Sequence, residues 1–380
     1  MRAAGYPTSG KGLTSALGEP ENRCQVTTLP KPADCAGTAR ARVWLAGALM
    51  LVLAGHAVAK PLPDPTGPGP YAVGYTRLVV MRAGTLAPVE RRLETVVWYP
   101  ADVRGEPLDP LGYADAAIRG GRHPLLVYSH GGCAYPEVSS FLTRALASWG
   151  FVVAAPSHPG DTFSDGVDVC DLVELRGPTL VERIDDVQAV VDALLRDART
   201  RGARFHRRLA RSRIGVLGWS SGGSTALVAG RQDRRIRAVL SLAPDARPER
   251  IGTTALPVPA MVMVGTLDFY DPAQTSLDQV YGYLRPPRFA VQLRRTGHFA
   301  FSDPCIPLAG GRDCEPGSLT QPEAHRLVLR FAVPFMQRYV GRVTRWGSLL
   351  RPAAVTEADA SLRAELPTRS PAPGSGYPGY

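Results

Sequence analysis

The chain has no C-x-x-C pair and no histidine or cysteine spacing that suits zinc, so no metal site is expected. It has no internal repeat, which removes solenoid and propeller architectures. No apolar run reaches the ~20 residues that a membrane-spanning helix needs. Lysine is nearly missing, with Lys11, Lys31 and Lys60 alone, so the formal net charge of +10 is carried almost wholly by arginine. Arg196, Arg199, Arg201, Arg204, Arg207, Arg208, Arg211 and Arg213 cluster around one predicted helix end and the loop after it. No nucleic-acid-binding module accompanies that charge, so nucleic acid is not an expected partner. The cluster reads first as solvated surface, since cations near a helix C-terminus are favourable. Peripheral contact with an anionic envelope or lipid surface is the alternative.

What is present fits one large globular domain with tails: 380 residues, 44% of them apolar, with proline and glycine concentrated at the ends. A compact apolar run spans residues 43–55, Arg40 and Arg42 precede it, and Ala57-Val58-Ala59 follows before Lys60. That pattern predicts a secretory signal peptide over residues 40–59, cleaved after Ala59, and hence a secreted or periplasmic protein. Residues 1–39 read as a disordered extension or as sequence ahead of a mis-assigned start. Residues 60–70 read as a linker, 71–345 as the folded domain, and the Pro/Ala/Gly/Ser-rich residues 346–380 as a disordered tail. Past the cleavage point four cysteines remain, Cys133, Cys170, Cys305 and Cys314, an even number that in an exported chain predicts disulfides. Cys305 and Cys314 flank one short Gly-rich loop, which favours pairing them, and leaves Cys133 with Cys170.

Residues 89–99 alternate as an early strand, and residues 124–129, 214–217, 260–264 and 289–293 read as short apolar strands. Residues 138–149, 179–199 and 323–339 read as helices. The second carries Leu180, Ile184, Val187, Val190, Val191, Leu194 and Leu195 at helical spacing. Strand and helix alternate to the C-terminus, which predicts an α/β fold, a mostly parallel doubly wound sheet with helices on both faces.

The chemistry centres on Gly218-Trp219-Ser220-Ser221-Gly222. An apolar strand leads in and a helix-compatible run leads out, the setting in which G-x-S-x-G holds a serine hydroxyl on a strained turn at the carboxyl end of a sheet. Side chains at 218 and 222 are expected to collide with the neighbouring strand and helix. A serine hydroxyl needs a base, and the base an orienting acid. Two histidines follow Ser220: His298, in a loop after a strand, is the expected base, and His325, in the terminal helix, a surface or packing residue. For the acid, Asp268 follows the strand at 260–264, with Asp245 at the end of the preceding strand as its rival. Asp271 reads as the cap of a helix beginning at Pro272. The oxyanion hole requires two N–H groups. Ser221 supplies one, and Gly132 in His130-Gly131-Gly132-Cys133 the other, with Gly131 or Cys133 as alternatives. His130 is expected to shape that loop by hydrogen bonding.

These segments, together with Val96-Val97-Trp98-Tyr99-Pro100, His158-Pro159-Gly160 and Gly265-Thr266-Leu267-Asp268, resemble an alpha/beta-hydrolase of the dienelactone hydrolase and platelet-activating-factor acetylhydrolase-like group. Cutinase-like polyester hydrolases are related. The resemblance covers about residues 71–339 and implies a triad of Ser220, Asp268 and His298, although its acetylhydrolase branch places the acid near Ala243, next to Asp245. Dienelactone hydrolases use cysteine where this chain has Ser220. Polyester hydrolases carry aromatic residues where this chain has Gly132 and Asp245, so a flat aromatic platform is not expected. The expected activity is a secreted serine esterase acting on a small-molecule or lipid ester through an acyl-enzyme, without a cofactor. A polyester hydrolase or peptidase on the same fold, or a non-catalytic binding protein, are the alternatives.

Overall fold

The strands that carry the expected site residues are apolar on both faces, and each face finds its own helical cover. A computed structural model describes residues 61–367, except 106, 108, 167–178, 248–250, 272–274 and 306–314. The predicted signal peptide, residues 1–39, Cys170 and Cys314 therefore lie outside the described residues. Along the chain run β1 (Ala72–Ala83), β2 (Glu90–Ala101), β3 (Tyr113–Ala114), β4 (His123–Ser129), α1 (Ser140–Ser148), β5 (Val152–Pro156) and α2 (Thr179–Asp197). Then come β6 (Leu209–Trp219), α3 (Ser221–Gln232), β7 (Ile236–Leu242), β8 (Ala260–Gly265), α4 (Ser276–Tyr283), β9 (Arg288–Leu293), α5 (Gln321–Tyr339) and β10 (Ala360–Glu365). Among the described residues the strands form one sheet in the order β10-β9-β8-β7-β6-β4-β5-β2-β1-β3. Strands β4 to β9 are mutually parallel, and β1, β2 and β10 join antiparallel at the flanks. This is the α/β architecture expected from the alternation of elements.

Every residue of β5 and β8 is buried, as strands covered on both faces require. With a side-chain period of two, Leu126, Tyr128, Leu217 and Leu240 share one core with α1 and α5. Leu125, Val127, Val216 and Val239 share the other with α2, α3 and α4. The apolar stripe of α2 lies wholly in that second core, Leu180 only partly buried. The arginine cluster sits at the C-terminal end of α2 and on the turn into β6, where Arg204 pairs with Asp115 at 2.8 Å. That is the sheet end where β6 enters, opposite the end where Ser220 leaves it.

Two boundaries need correction. The expected disordered tail from 346 is ordered to Pro367: Trp346 and Leu350 are core residues, and β10 pairs with β9 from Ala360↔Leu293 to Glu365↔Arg288. Composition averaged over a Pro/Ala-rich stretch hid a short edge strand, whose hydrogen bonds come from a partner rather than from its own apolar content. Residues 368–380 lie outside the described residues. The expected linker, described from residue 61, is likewise docked at its far end: Gly69 N–H donates to Ser148 Oγ at 2.8 Å, and the Trp149 indole donates to the Gly67 carbonyl at 3.3 Å.

Candidate active site

Ser220 lies between β6 and α3 with φ 56° and ψ −123°. A side chain in this left-handed region is strained, and the surrounding backbone must hold it. Ser220 N–H donates to the Leu242 carbonyl at 2.9 Å, and the Ser220 carbonyl accepts from Ser224 N–H at 3.2 Å. The flanking glycines are sterically required. A Cβ at Gly218 would stand 2.2 Å from the Gly222 carbonyl oxygen, and one at Gly222 1.9 Å from that of Ser129. The turn therefore presents a half-exposed serine at the carboxyl end of the sheet, with Ser221 opening helix α3, where the N-terminal dipole favours negative charge.

His298 begins a short 3₁₀ turn after β9. Its Nδ1–H donates to Asp268 Oδ2 at 2.8 Å, and both side chains are buried. Asp268 Oδ1 also accepts from Tyr270 N–H at 3.0 Å, so the carboxylate is held at both oxygens. With Nδ1 carrying the proton, Nε2 is the basic nitrogen. The Trp219 indole donates to the His298 carbonyl at 2.9 Å, so the residue before Ser220 anchors the backbone of the histidine. Among the described residues Ser220 Oγ makes no hydrogen bond, and such contacts often tighten only around a bound substrate.

The other sequence candidates fall elsewhere. Asp245 forms a bidentate pair with Arg247, at 2.8 and 2.6 Å. Asp271 accepts from Thr275 N–H and Ser276 N–H at 2.9 Å at the start of α4, and Pro272, where the helix is expected to begin, lies outside the described residues. His325 stacks on Phe141 at 3.6 Å and donates to the Ser302 carbonyl at 2.8 Å, a packing residue.

In the loop at 130–133, Cys133 N–H donates to Asp161 Oδ1 at 2.9 Å, so that amide is engaged. Neither Gly131 N–H nor Gly132 N–H has a hydrogen-bond partner among the described residues; of the two, Gly131 is buried and Gly132 exposed. A Cβ at Gly132 would lie 3.2 Å from Ser221 Oγ, so the Gly132 backbone approaches the first residue of α3. Buried His130 donates from Nδ1 to the Gly131 carbonyl at 2.7 Å. Burial, with Arg183 and His158 close by, holds its pKa well below the usual imidazole value, so it is a neutral strut of the loop.

Sequence reasoning missed what stands behind that loop. Buried Arg183 on α2 donates to Asp161 Oδ2 at 2.7 Å, to Ser129 Oγ at 3.2 Å and to the His130 carbonyl. His158 accepts from Ser129 Oγ at Nε2 and donates from Nδ1 to Asp186 Oδ2, each at 2.9 Å. Asp186 also pairs with Arg82 and Arg91. Burial, reinforced by Arg183, pushes the His158 pKa down to about 4. Burial works to raise the Asp186 pKa, but hydrogen bonds from His158 and Arg91 hold it well below the usual carboxylate range. The available signal was Arg183 itself, a charge lying between Leu180, Ile184 and Val187 on the apolar face of α2.

Aromatic side chains do surround the site, though not at positions 132 and 245. Tyr270, 55% exposed, lies 4.6 Å from His298 between ring centroids. Tyr135 and Phe163 are exposed on segments joined by the Phe163 N–H to Ala134 carbonyl bond at 2.9 Å.

The PETase family, described as PET hydrolase-like, matches residues 133–366. Among solved structures, the ferulic acid esterase from Streptomyces cinnamoneus is similar with a TM-score of 0.63 and 22% identity, over 80% of this chain and 98% of that one. At that identity the likeness is one of fold, the alpha/beta-hydrolase fold. No curated protein matches the chain.

Proposed function

This chain belongs to the PET hydrolase-like family, a carboxylic ester hydrolase family, and from that premise we propose that Ser220, His298 and Asp268 are its catalytic triad. His298 Nε2 takes the Ser220 proton as Oγ attacks the ester carbonyl. Asp268 keeps the imidazole in the required tautomer and stabilises its cation. The N–H groups of Gly132 and Ser221 receive the oxyanion. The tetrahedral intermediate expels the alcohol, which takes its proton from His298, and leaves an acyl-enzyme. Water then attacks with His298 again as base. The observation that carries this reading is the 2.8 Å His298–Asp268 hydrogen bond, with the His298 carbonyl held by Trp219, the residue before a serine at φ 56°. Covalent labelling by a fluorophosphonate tests it: the adduct should map to Ser220 and vanish in Ser220→Ala. Labelling elsewhere refutes the assignment.

The substrate reading is a carboxylic ester. An aryl ester or aromatic polyester is the second reading, favoured by the family and by the exposed ring of Tyr270 against His298. Comparing p-nitrophenyl esters, feruloyl esters and polyester film separates the two. Export after Ala59 and the pairings Cys133–Cys170 and Cys305–Cys314 belong to the same proposal, supported by the signal-like segment and the even cysteine count. N-terminal sequencing of extracellular protein and peptide mapping before and after reduction check both.

A further inference from the structure

The oxyanion loop has to hold one N–H at a fixed point, yet two consecutive glycines give it no stiffness of its own. Its rigidity must come from its ends. At one end the His130 carbonyl accepts from Arg183. At the other the Cys133 N–H donates to Asp161 Oδ1 at 2.9 Å, with Cys133 at φ 52°. The two grips are a single unit, because Arg183 Nη1 and Asp161 Oδ2 are bonded at 2.7 Å and both side chains are almost wholly buried. Arg183 also holds Ser129, the last residue of β4, at 3.2 Å, and Thr225 on the helix that Ser221 opens, at 3.3 Å. One guanidinium thus ties together the strand before the loop, the loop itself, and the helix that supplies the other amide. Its planar fork of donors can satisfy these acceptors together, which an ammonium cannot. The main-chain ends of the loop are fixed by this ion pair, and Gly131 and Gly132 between them are left to face the site.

We infer that Arg183 and Asp161 are positioning residues for the oxyanion hole, an ion pair that sets the direction of the Gly132 N–H relative to Ser221 N–H. The inference rests on the reading of Ser220 as nucleophile and Gly132 as oxyanion donor. A buried ion pair adds little net stability over packed apolar groups, and here its geometry converges on the loop.

The test compares Asp161→Asn and the milder Arg183→Lys with wild type on a soluble p-nitrophenyl ester, with rates normalised to active sites titrated to completion. A trifluoromethyl ketone, which forms a hemiketal oxyanion with the serine, supplies the second readout. Losing one oxyanion donor costs ~10²–10³ in turnover, so a misdirected one should lower kcat by roughly 10- to 100-fold. KM should stay within about threefold, and ketone affinity should fall by the same factor as kcat. The double variant should be little worse than the poorer single, since the pair acts as one unit. Wild-type kcat per active site, an unchanged ketone affinity, or failure of both variants to fold each overturns the inference. Ser220→Ala run alongside separates the two readings: if it stays active, both fall, whereas if it is dead and Asp161→Asn is wild type, the clamp alone falls.

Discussion

Two Ser–His–Asp arrangements lie in this molecule. Ser129, His158 and Asp186 form an unbroken chain of 2.9 Å hydrogen bonds, whereas Ser220, His298 and Asp268 show only the 2.8 Å histidine–aspartate half. Yet the complete chain has the wrong surroundings for hydrolysis. All three of its side chains are fully buried. Ser129 stands in strand register with Gly218 and accepts from Arg183, and Asp186 is shared with Arg82 and Arg91. The half-connected set has a strained, half-exposed serine at the start of helix α3. Connectivity alone therefore does not identify a triad. Access, a nucleophile held off the strand, and donors aimed at developing charge do.

That contrast can be broken most sharply at the two serines. Ser220→Ala should lower turnover by about five to six decades, roughly 7–8 kcal/mol of barrier. Ser129→Ala should stay within about tenfold, because it removes one strut and no reacting atom. Steady-state kinetics on purified, folded variants decides it, and comparable losses would erase the distinction. At the acids, Asp268→Asn should cost about 10⁴ in turnover, or roughly 5.5 kcal/mol, through the wrong imidazole tautomer. Asp245→Asn should stay within about threefold. A dead Asp245→Asn with an active Asp268→Asn would move the acid to the preceding strand.

Asp186→Asn should act on stability instead. It strips the shared carboxylate from Arg82, Arg91 and His158, and uncompensated buried charge costs about 3–5 kcal/mol. Urea melts should show that loss while turnover per folded molecule changes little. The smallest effect is on pH. The folded-state pKa of His158 is depressed from 6.5 to about 4, so below pH 6.5 the unfolded chain binds the proton more readily. Its contribution is complete above that value and is lost as pH falls toward 4, on the order of 2–3 kcal/mol. Unfolding measured at pH 7 and pH 4.5 should show the decline, and His158→Gln should flatten it.

The elbow could be read from sequence because its constraints are local: glycines at 218 and 222 sit within two residues of the serine they serve, and the steric reason travels with the motif. The apolar stripe of α2 was legible for the same reason, a period written along one segment. His298 is expected from chain order and Asp268 from its position after β8, and the two meet in a 2.8 Å hydrogen bond. Asp245 could not be set aside until its pairing with Arg247 was visible, since both aspartates follow strand ends. The strand β10 was missed because an edge strand borrows its hydrogen bonds from β9.

The sequence by itself determined the fold class, the elbow and the chemical class of the site, since each follows from residue types at short spacing. Only the tertiary structure decided which aspartate meets the histidine, which loop glycine is exposed, and which Ser–His–Asp set is wholly buried. Those depend on side chains such as Ser129, Asp161, Arg183 and Thr225, far apart along the chain and brought within hydrogen-bonding distance by parallel strands and helices packing against one another. Hydrogen bonds are short-ranged and directional, so their partners are settled where elements meet rather than where residues are written.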